Sequence, residues 1–246
     1  MILELDCGNS FVKWRVVSDT DGAPLAGGIA TQAVEIIREL SDRDIGKITR
    51  CRLVSVRSDV ETQAIMGVLS ESLKVDVARV YTAERAAGVV NGYRDQQRLG
   101  LDRWLAMIAA YDMCGGACLV VDLGTAITVD LVANDGAHLG GYIAPGIALL
   151  REQLLAHTRR IQYDAVEAAL ALSDTSPGRS TAEAVERGCL IMARSYISSQ
   201  IAFAENHLGK DFAIYITGGD AALAAGLPEV RCVSDLVFKG LAIACP

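Results

Sequence analysis

Asp6-Cys7-Gly8-Asn9-Ser10 and Asp122-Leu123-Gly124-Thr125-Ala126 place an acid, a glycine and a hydroxyl in the same order, each after a strand-like apolar run. A carboxylate at a strand end, followed by a glycine turn, can hold a metal ion beside backbone N–H groups that face phosphate oxygens. Lys13 extends the first copy to a DxGNSxxK pattern and supplies a point charge beside the backbone at Gly8. Neither copy is a Walker P-loop, because GxxxxGK[ST] occurs nowhere in the chain. Two copies half a chain apart predict duplicated domains closing on one nucleotide.

The elements that must position these turns follow from periodicity and breakers. Ile2 to Leu5 and Phe11 to Val17 read as strands joined through Gly8-Asn9-Ser10, so the acid opens a hairpin. A strand over 50–56, a helix over 60–73 and a strand over 75–81 follow. The polar segment 87–98 reads as a loop before a helix over 102–113. Cys114-Gly115-Gly116 ends that helix and sets two domains, 1–114 and 115–246.

The second half repeats the pattern. Strands are expected over 117–121, 127–132 and 138–143, and Pro145-Gly146 breaks the chain before a helix over 147–157. Residues 173–180 read as a loop. Thr181 is the expected N-cap of a long helix reaching Leu208, followed by a strand over 212–216, the turn Thr217-Gly218-Gly219-Asp220 and a closing helix over 235–245. Strand-rich beginnings, helical ends and mixed strand directions predict an α/β fold: two duplicated ribonuclease-H-like (actin-like ATPase) domains with mixed sheets flanked by helices.

Composition narrows the classes. Hydrophobic residues make up 51% of the 246 and charged residues 22%, enough apolar material for a substantial core. The longest apolar stretch, Trp104 to Tyr111, is far short of the roughly 20 residues that span a bilayer, and the first residues lack a basic signal region. A cytoplasmic protein without membrane partners is expected. The net charge of −7 and the absence of a long basic run argue against nucleic acid as a ligand. Seven cysteines, mostly inside apolar runs, read as reduced buried thiols; Cys114 and Cys118 have CxxxC spacing, with no second pair to complete a zinc site.

Dispersed motifs in a fixed order then identify a family resemblance. DCGNSFVK at 6–13, NGY at 91–93, LGLDRW at 99–104, DLGTA at 122–126, GGYIAPG at 140–146, TAEAVERG at 181–188 and TGGD at 217–220 resemble the type III pantothenate kinases, across almost the whole chain. Gly100-Leu101-Asp102-Arg103 would suit a helix start without any function, since an acid favours the first turn. The resemblance implies more: Asp102 is the general base toward pantothenate, Arg103 anchors its carboxylate beside Gly100 and Leu101, and Tyr93 walls the pocket.

The resemblance also implies that the Asp6 turn, with Gly8, Asn9, Ser10 and Lys13, handles ATP phosphates and Mg2+, with Asp6 reaching the ion through water. Asp122 would ligate a monovalent cation, K+ or NH4+, while Thr125, Gly218 and Gly219 contact ATP. Thr181 would reach pantothenate near a homodimer interface. The expected activity is ATP-dependent phosphorylation of pantothenate to 4′-phosphopantothenate, the first step of coenzyme A biosynthesis. Two other readings share the fold: a ribonuclease-H-like nuclease using Asp6 and Asp122 with two metals, and a non-enzymatic accessory or regulatory protein. Lys13 and the acidic net charge oppose the first, and the intact GxDR segment opposes the second.

Overall fold

Ile2, Leu3, Leu5 and Cys7 place apolar side chains on both faces of Ile2–Cys7, the mark of a strand covered on both faces, and this strand (β1) lies at the centre of the first sheet. The computed structural model describes residues 1–246 apart from Asp44, Ser173 and Ala225. The chain divides into two compact units: Met1–Asp112 together with Asp235–Pro246, and Met113–Ser234.

In the first unit β1 is followed by β2 (Val12–Val17), β3 (Pro24–Ala30), α1 (Ala33–Asp42), β4 (Arg50–Ser55), α2 (Asp59–Leu73) and β5 (Val77–Arg79). The sheet order is β3-β2-β1-β4-β5, with β2 antiparallel to both neighbours and β4 parallel to β1 and β5. Helices α1 and α2 contribute Ile36, Leu40, Ile65 and Leu69 to a core with Leu3, Leu5, Trp14 and Leu53. Ser58 and Glu61 cap α2 reciprocally, which fixes where that helix begins.

Residues 18–49, to which the sequence reading assigns no element, hold β3 and α1. The glycines of β3 explain its weak signature: a side chain at Gly28 would come within 2.9 Å of the Trp14 indole nitrogen. An edge strand tolerates Pro24 and these glycines because its outer backbone needs no ladder partner. The loop expected over 87–98 also carries structure. A two-residue ladder joins β6 (Arg85–Ala86) to β7 (Val89–Val90), and a 3₁₀ turn covers Gln96–Arg98 before α3 (Leu101–Cys114).

The second unit has β8 (Cys118–Leu123), β9 (Ala126–Val132), β10 (His138–Pro145), α4 (Ile147–His157), α5 (Ala165–Ala171), α6 (Thr181–Leu208), β11 (Ala213–Thr217) and β12 (Val230–Cys232). Its sheet order, β10-β9-β8-β11-β12, repeats that of the first strand for strand and direction for direction. The duplicated turn is thus part of a duplicated sheet. Helix α5 and strand β12 have no counterpart in the sequence reading, and Ser173, the first residue of the loop expected over 173–180, lies outside the described residues. The N-cap of α6 is Ser180 and not Thr181: the Ser180 hydroxyl accepts from the Glu183 N–H at 3.2 Å while the Glu183 carboxylate accepts from the Ser180 N–H at 3.2 Å.

Helix α7 (Leu236–Ala244) packs on β1 and β4 and belongs to the first unit. A division at 114/115 would leave it with the second. Strand register explains the difference. Glu4, fully buried, lies opposite Arg15 on β2 and Arg52 on β4, and its carboxylate accepts from both guanidinium groups. Arg15 also pairs with Asp235 at 2.8 Å, and Arg52 donates to the Cys245 carbonyl. One buried row of charges therefore holds both ends of α7. At its middle, Gly240 passes so close to α3 that a Cβ there would fall 2.0 Å from the Leu105 carbonyl.

Candidate active site

Within the first unit, register sets Asp6 directly opposite Lys13 across the β1–β2 pair. Burial pushes the Asp6 carboxyl up to about 6; Lys13 opposes that rise and the nearby Asp102 carboxylate adds to it. Two carboxylates thus share one electrostatic neighbourhood with one lysine. The connecting turn is open: Asn9 and Ser10 are exposed, and Gly8 keeps an ordinary negative φ, with the Phe11 carbonyl 3.3 Å from where its Cβ would lie. Arg57, just beyond β4, donates from Nε to the Gly8 carbonyl at 2.7 Å. Its own N–H donates to Ser55 Oγ at 3.2 Å, and Ser55 meets Thr62 at 2.7 Å in the interior. Arg57 therefore ties the turn to β4 and α2, a role that no motif in the sequence reading assigns to it.

Asp102 and Arg103 stand in the first turn of α3. The Asp102 carboxylate accepts from the Arg103 N–H at 2.8 Å, and a Cβ on Gly100 would fall 2.8 Å from the same oxygen. Only glycine leaves that carboxylate its place. Leu101 begins the helix and Trp104 is buried behind it, as expected for a core anchor. The buried Arg103 side chain donates from Nη1 to the Tyr93 hydroxyl at 2.6 Å, its guanidinium carbon 5.5 Å from the Tyr93 ring centre. Asn91, also buried, organises this loop: it donates to the Ala83 and Gln96 carbonyls at 3.3 and 3.2 Å and accepts from the Tyr93 N–H at 3.0 Å. The NGY segment thus holds its tyrosine through its asparagine.

In the second unit Asp122 lies opposite Thr128 on β9 and beside Thr217 on β11. Two backbone turns, at Gly146 and at Gly218–Asp220, converge on the segment that follows. The Gly146 N–H donates to the Thr125 carbonyl at 3.0 Å, and the Asp220 N–H donates to the Leu123 carbonyl at 2.9 Å. A Cβ on Gly146 would come 2.2 Å from the Gly124 carbonyl. At Gly218, φ is +97°, and a Cβ would meet Asp122 Oδ1 and the Leu123 carbonyl, each at 2.4 Å. Gly219 faces open space and Thr125 is exposed. Gly146 is a packing requirement that becomes visible only with the turns assembled.

Thr181 opens α6 as an exposed residue whose hydroxyl is not spent on capping. Buried Arg187, one turn and a half further on, fastens the segment before it: Nε donates to the Ala171 carbonyl at 2.8 Å, Nη1 to Ser176 at 3.0 Å, and Nη2 pairs with Glu183 at 3.1 Å. The structure therefore brings together Asp6, Lys13 and Asp102, then Arg103 with Tyr93, in one unit. Asp122, Thr125, Gly218 and Gly219 come together in the other.

The donor set suits a cation only in part. The Asp102 carboxylate adds to the raised proton affinity of Asp6, a strain that a divalent ion relieves, yet among the described residues no group of three or more His, Cys, Asp or Glu could hold a metal alone. That matches Mg2+, which keeps waters and takes phosphate oxygens in its shell. Among the described residues no helix is long and apolar enough to cross a membrane.

Comparison with known proteins agrees with this chemistry. The profile of a family described as type III pantothenate kinase matches residues 2–202. A type III pantothenate kinase of Pseudomonas savastanoi pv. phaseolicola is 53% identical, covering 100% of this chain and 99% of that protein. Among solved structures, a conserved Baf family protein from Campylobacter jejuni has a TM-score of 0.59 at 20% identity, covering 98% of this chain and 95% of its own. A ROK hexokinase from Thermus thermophilus, at 15% identity and a TM-score of 0.50, covers 99% and 97%. These two resemblances speak to fold and support the ribonuclease-H-like reading.

Proposed function

Because the chain belongs to the type III pantothenate kinase family, and so phosphorylates pantothenate with ATP in coenzyme A biosynthesis, we propose how its residues divide that work. The observation that carries the division is the placing of Asp102 beside Asp6 on one side and the Arg103–Tyr93 pair on the other.

Arg103 binds the pantothenate carboxylate, its guanidinium already aimed by the Tyr93 hydroxyl, so less side-chain entropy is lost on binding. Gly100 and Leu101 shape the approach to the helix start. Asp102 accepts the proton of the primary hydroxyl as that oxygen bonds to the γ-phosphorus and the bond to ADP breaks. Lys13 and the backbone of Gly8, Asn9 and Ser10 hold the phosphates, and Asp6 holds Mg2+ through water. Bound Mg2+ supplies charge neutralisation at the phosphate oxygens. Thr125, Gly218 and Gly219 contact the nucleotide, and Asp122 with nearby backbone carbonyls holds K+ or NH4+. Thr181 contacts pantothenate close to the interface of a homodimer, and the enzyme works in the cytoplasm. Ion-free Asp6 and Asp102 repel each other, so positioning and charge neutralisation supply most of the rate.

The test is direct. Pure protein with Mg-ATP and pantothenate is assayed for 4′-phosphopantothenate with and without K+ or NH4+. Product that forms only with the monovalent ion supports the cation role; equal product in Na+ alone removes it. Sedimentation at working concentration checks the dimer.

A further inference from the structure

Two parallel strands end side by side at the Asp6 turn. Register pairs Cys7 with Ser55 in the ladder of β1 and β4, and the Val56 N–H carries it one step on, donating to the Cys7 carbonyl at 3.1 Å. From there the chain leaves in opposite directions: β1 passes through the turn to β2 on one side, and β4 passes through α2 to β5 on the other. In open sheets ligands bind in the crevice outside such a pair of carboxyl ends. Gly8, Asn9 and Ser10 reach that crevice from β1, and Arg57 reaches it from β4.

Arg57 is partly buried, and only part of its guanidinium is engaged. Nε donates to the Gly8 carbonyl at 2.7 Å, while among the described residues neither Nη group has an acceptor or a carboxylate within bonding distance. Glu61 does not claim them. Its carboxylate accepts from the Ser58 hydroxyl and from the Ser58 N–H at 3.1 Å, and these bonds, ahead of the Arg57 charge, hold its carboxyl below the usual range. The charge of Arg57 is also felt at the end of β1: burial, then Asp6, drive the Cys7 thiol up to about 12, and Arg57 opposes them.

We propose that Arg57 is a further phosphate-binding residue of the kinase, its Nη groups bonding to oxygens of the ATP phosphates while Nε holds the turn in shape. This rests on the reading above that the Asp6 turn holds those phosphates. A turn that binds phosphate must show its N–H groups and hide its carbonyls, and Nε covers the carbonyl of Gly8. Because a guanidinium is a planar, rigid fork, fixing Nε also fixes both Nη groups, in a spacing that matches phosphate oxygens. The backbone beneath is fixed as well, since the Arg57 N–H donates to Ser55 Oγ at 3.2 Å and Ser55 meets Thr62 in the interior. Little freedom is left to lose on binding. Lys13 on β2 and Arg57 beyond β4 then flank β1, and the phosphates are held from both sides of Asp6.

Two substitutions separate the clamp from the fork. Glutamine places an amide N–H where arginine has Nε, so Arg57→Gln keeps a donor for the Gly8 carbonyl and removes both Nη groups and the charge. In steady-state assays of the full chain it should raise the KM for ATP and the inhibition constant of ADP by about 10–100-fold, the loss of charge-assisted bonds. The KM for pantothenate should stay within about twofold, since Arg57 lies apart from the Arg103–Tyr93 pair. Arg57→Lys keeps the charge without the clamp and should recover part of the loss. A residue that only clamps the turn gives the reverse order, with Arg57→Gln close to wild type and Arg57→Lys impaired, and that result overturns the proposal. Lys13→Ala, measured alongside, tells which idea has failed. If it raises the KM for ATP and Arg57→Gln does not, the phosphates lie at the turn without Arg57; if neither does, the assignment of ATP to the Asp6 turn falls too.

Discussion

The two acid-glycine turns lie at the same place in two sheets of identical order, yet they are built differently. Opposite Asp6 the partner strand presents Lys13; opposite Asp122 it presents Thr128. The first turn spans four residues between strands, is exposed at Asn9 and Ser10, and is tied down by one arginine on Gly8. The second spans two residues and is pressed by the backbones of Gly146 and Gly218. Duplication supplied one scaffold, and the side chain across the ladder decided its use. A turn with a lysine and open N–H groups suits anionic oxygens, while a turn walled by carbonyls and a carboxylate suits a cation.

The largest way to break that contrast lies beside the first turn. Asp102→Asn should lower kcat by about 10²–10⁴-fold while ATP still binds, since it removes proton acceptance and keeps the shape. Single-turnover phosphopantothenate formation checks it, and near-normal turnover would take the reacting phosphate away from the Asp6 side. Next comes packing. Gly218→Ala forces a methyl onto the Leu123 carbonyl from a left-handed backbone and should cost about 1–3 kcal/mol, whereas Gly8→Ala should cost well under half of that. Equal shifts in Tm would erase the distinction between open and packed turns.

A third test uses pH. The Asp6 carboxyl ionises near 3.8 in the unfolded chain and at about 6 when folded, so the folded state holds the extra proton between those values. Its contribution to stability falls as pH rises through that window, and the penalty is complete above it. In metal-free protein Asp6→Asn should therefore stabilise by on the order of 1–3 kcal/mol at pH 7 to 8, with the gain fading between pH 6 and 4. Urea titrations across that range measure it; a gain that does not change with pH would mean that Asp6 is ordinary. The smallest effect is the sharpest comparison. Lys13→Ala should raise the KM for ATP about tenfold, the loss of one charge-assisted contact, and Thr128→Ala should leave it within about twofold.

Much of this was legible in residues close together in sequence. The hairpins around 8–10 and 124–125, α4 over 147–157 and the extent of α6 follow from breakers and periodicity, because each is decided locally. What the sequence hid depends on register or on distant packing. Glu4 reads as an acid without a purpose in a largely apolar strand until Arg15 and Arg52 are paired across from it. Arg57 belongs to no motif and Arg187 is one letter of TAEAVERG with no role of its own in the sequence, and their value lies in which backbone carbonyls they reach. Gly146 looks like a simple breaker after Pro145 until the Gly124 carbonyl is found against it. Helix α1 is a plain omission: Ala33, Ile36 and Leu40 have helical spacing and all are buried.

The fastening of α7 by Glu4, Arg15 and Arg52 has a consequence for the order in which the chain is made. Residues 113–234 form a contiguous unit that emerges whole, while the unit containing the first residue must wait for 235–246. During synthesis, at about 5–20 residues per second, the earlier-made half stays open along β1 and β4, and the later-made half can complete itself first. Residues 235–246 are thus a latch laid last across β1 and β4 of the first sheet.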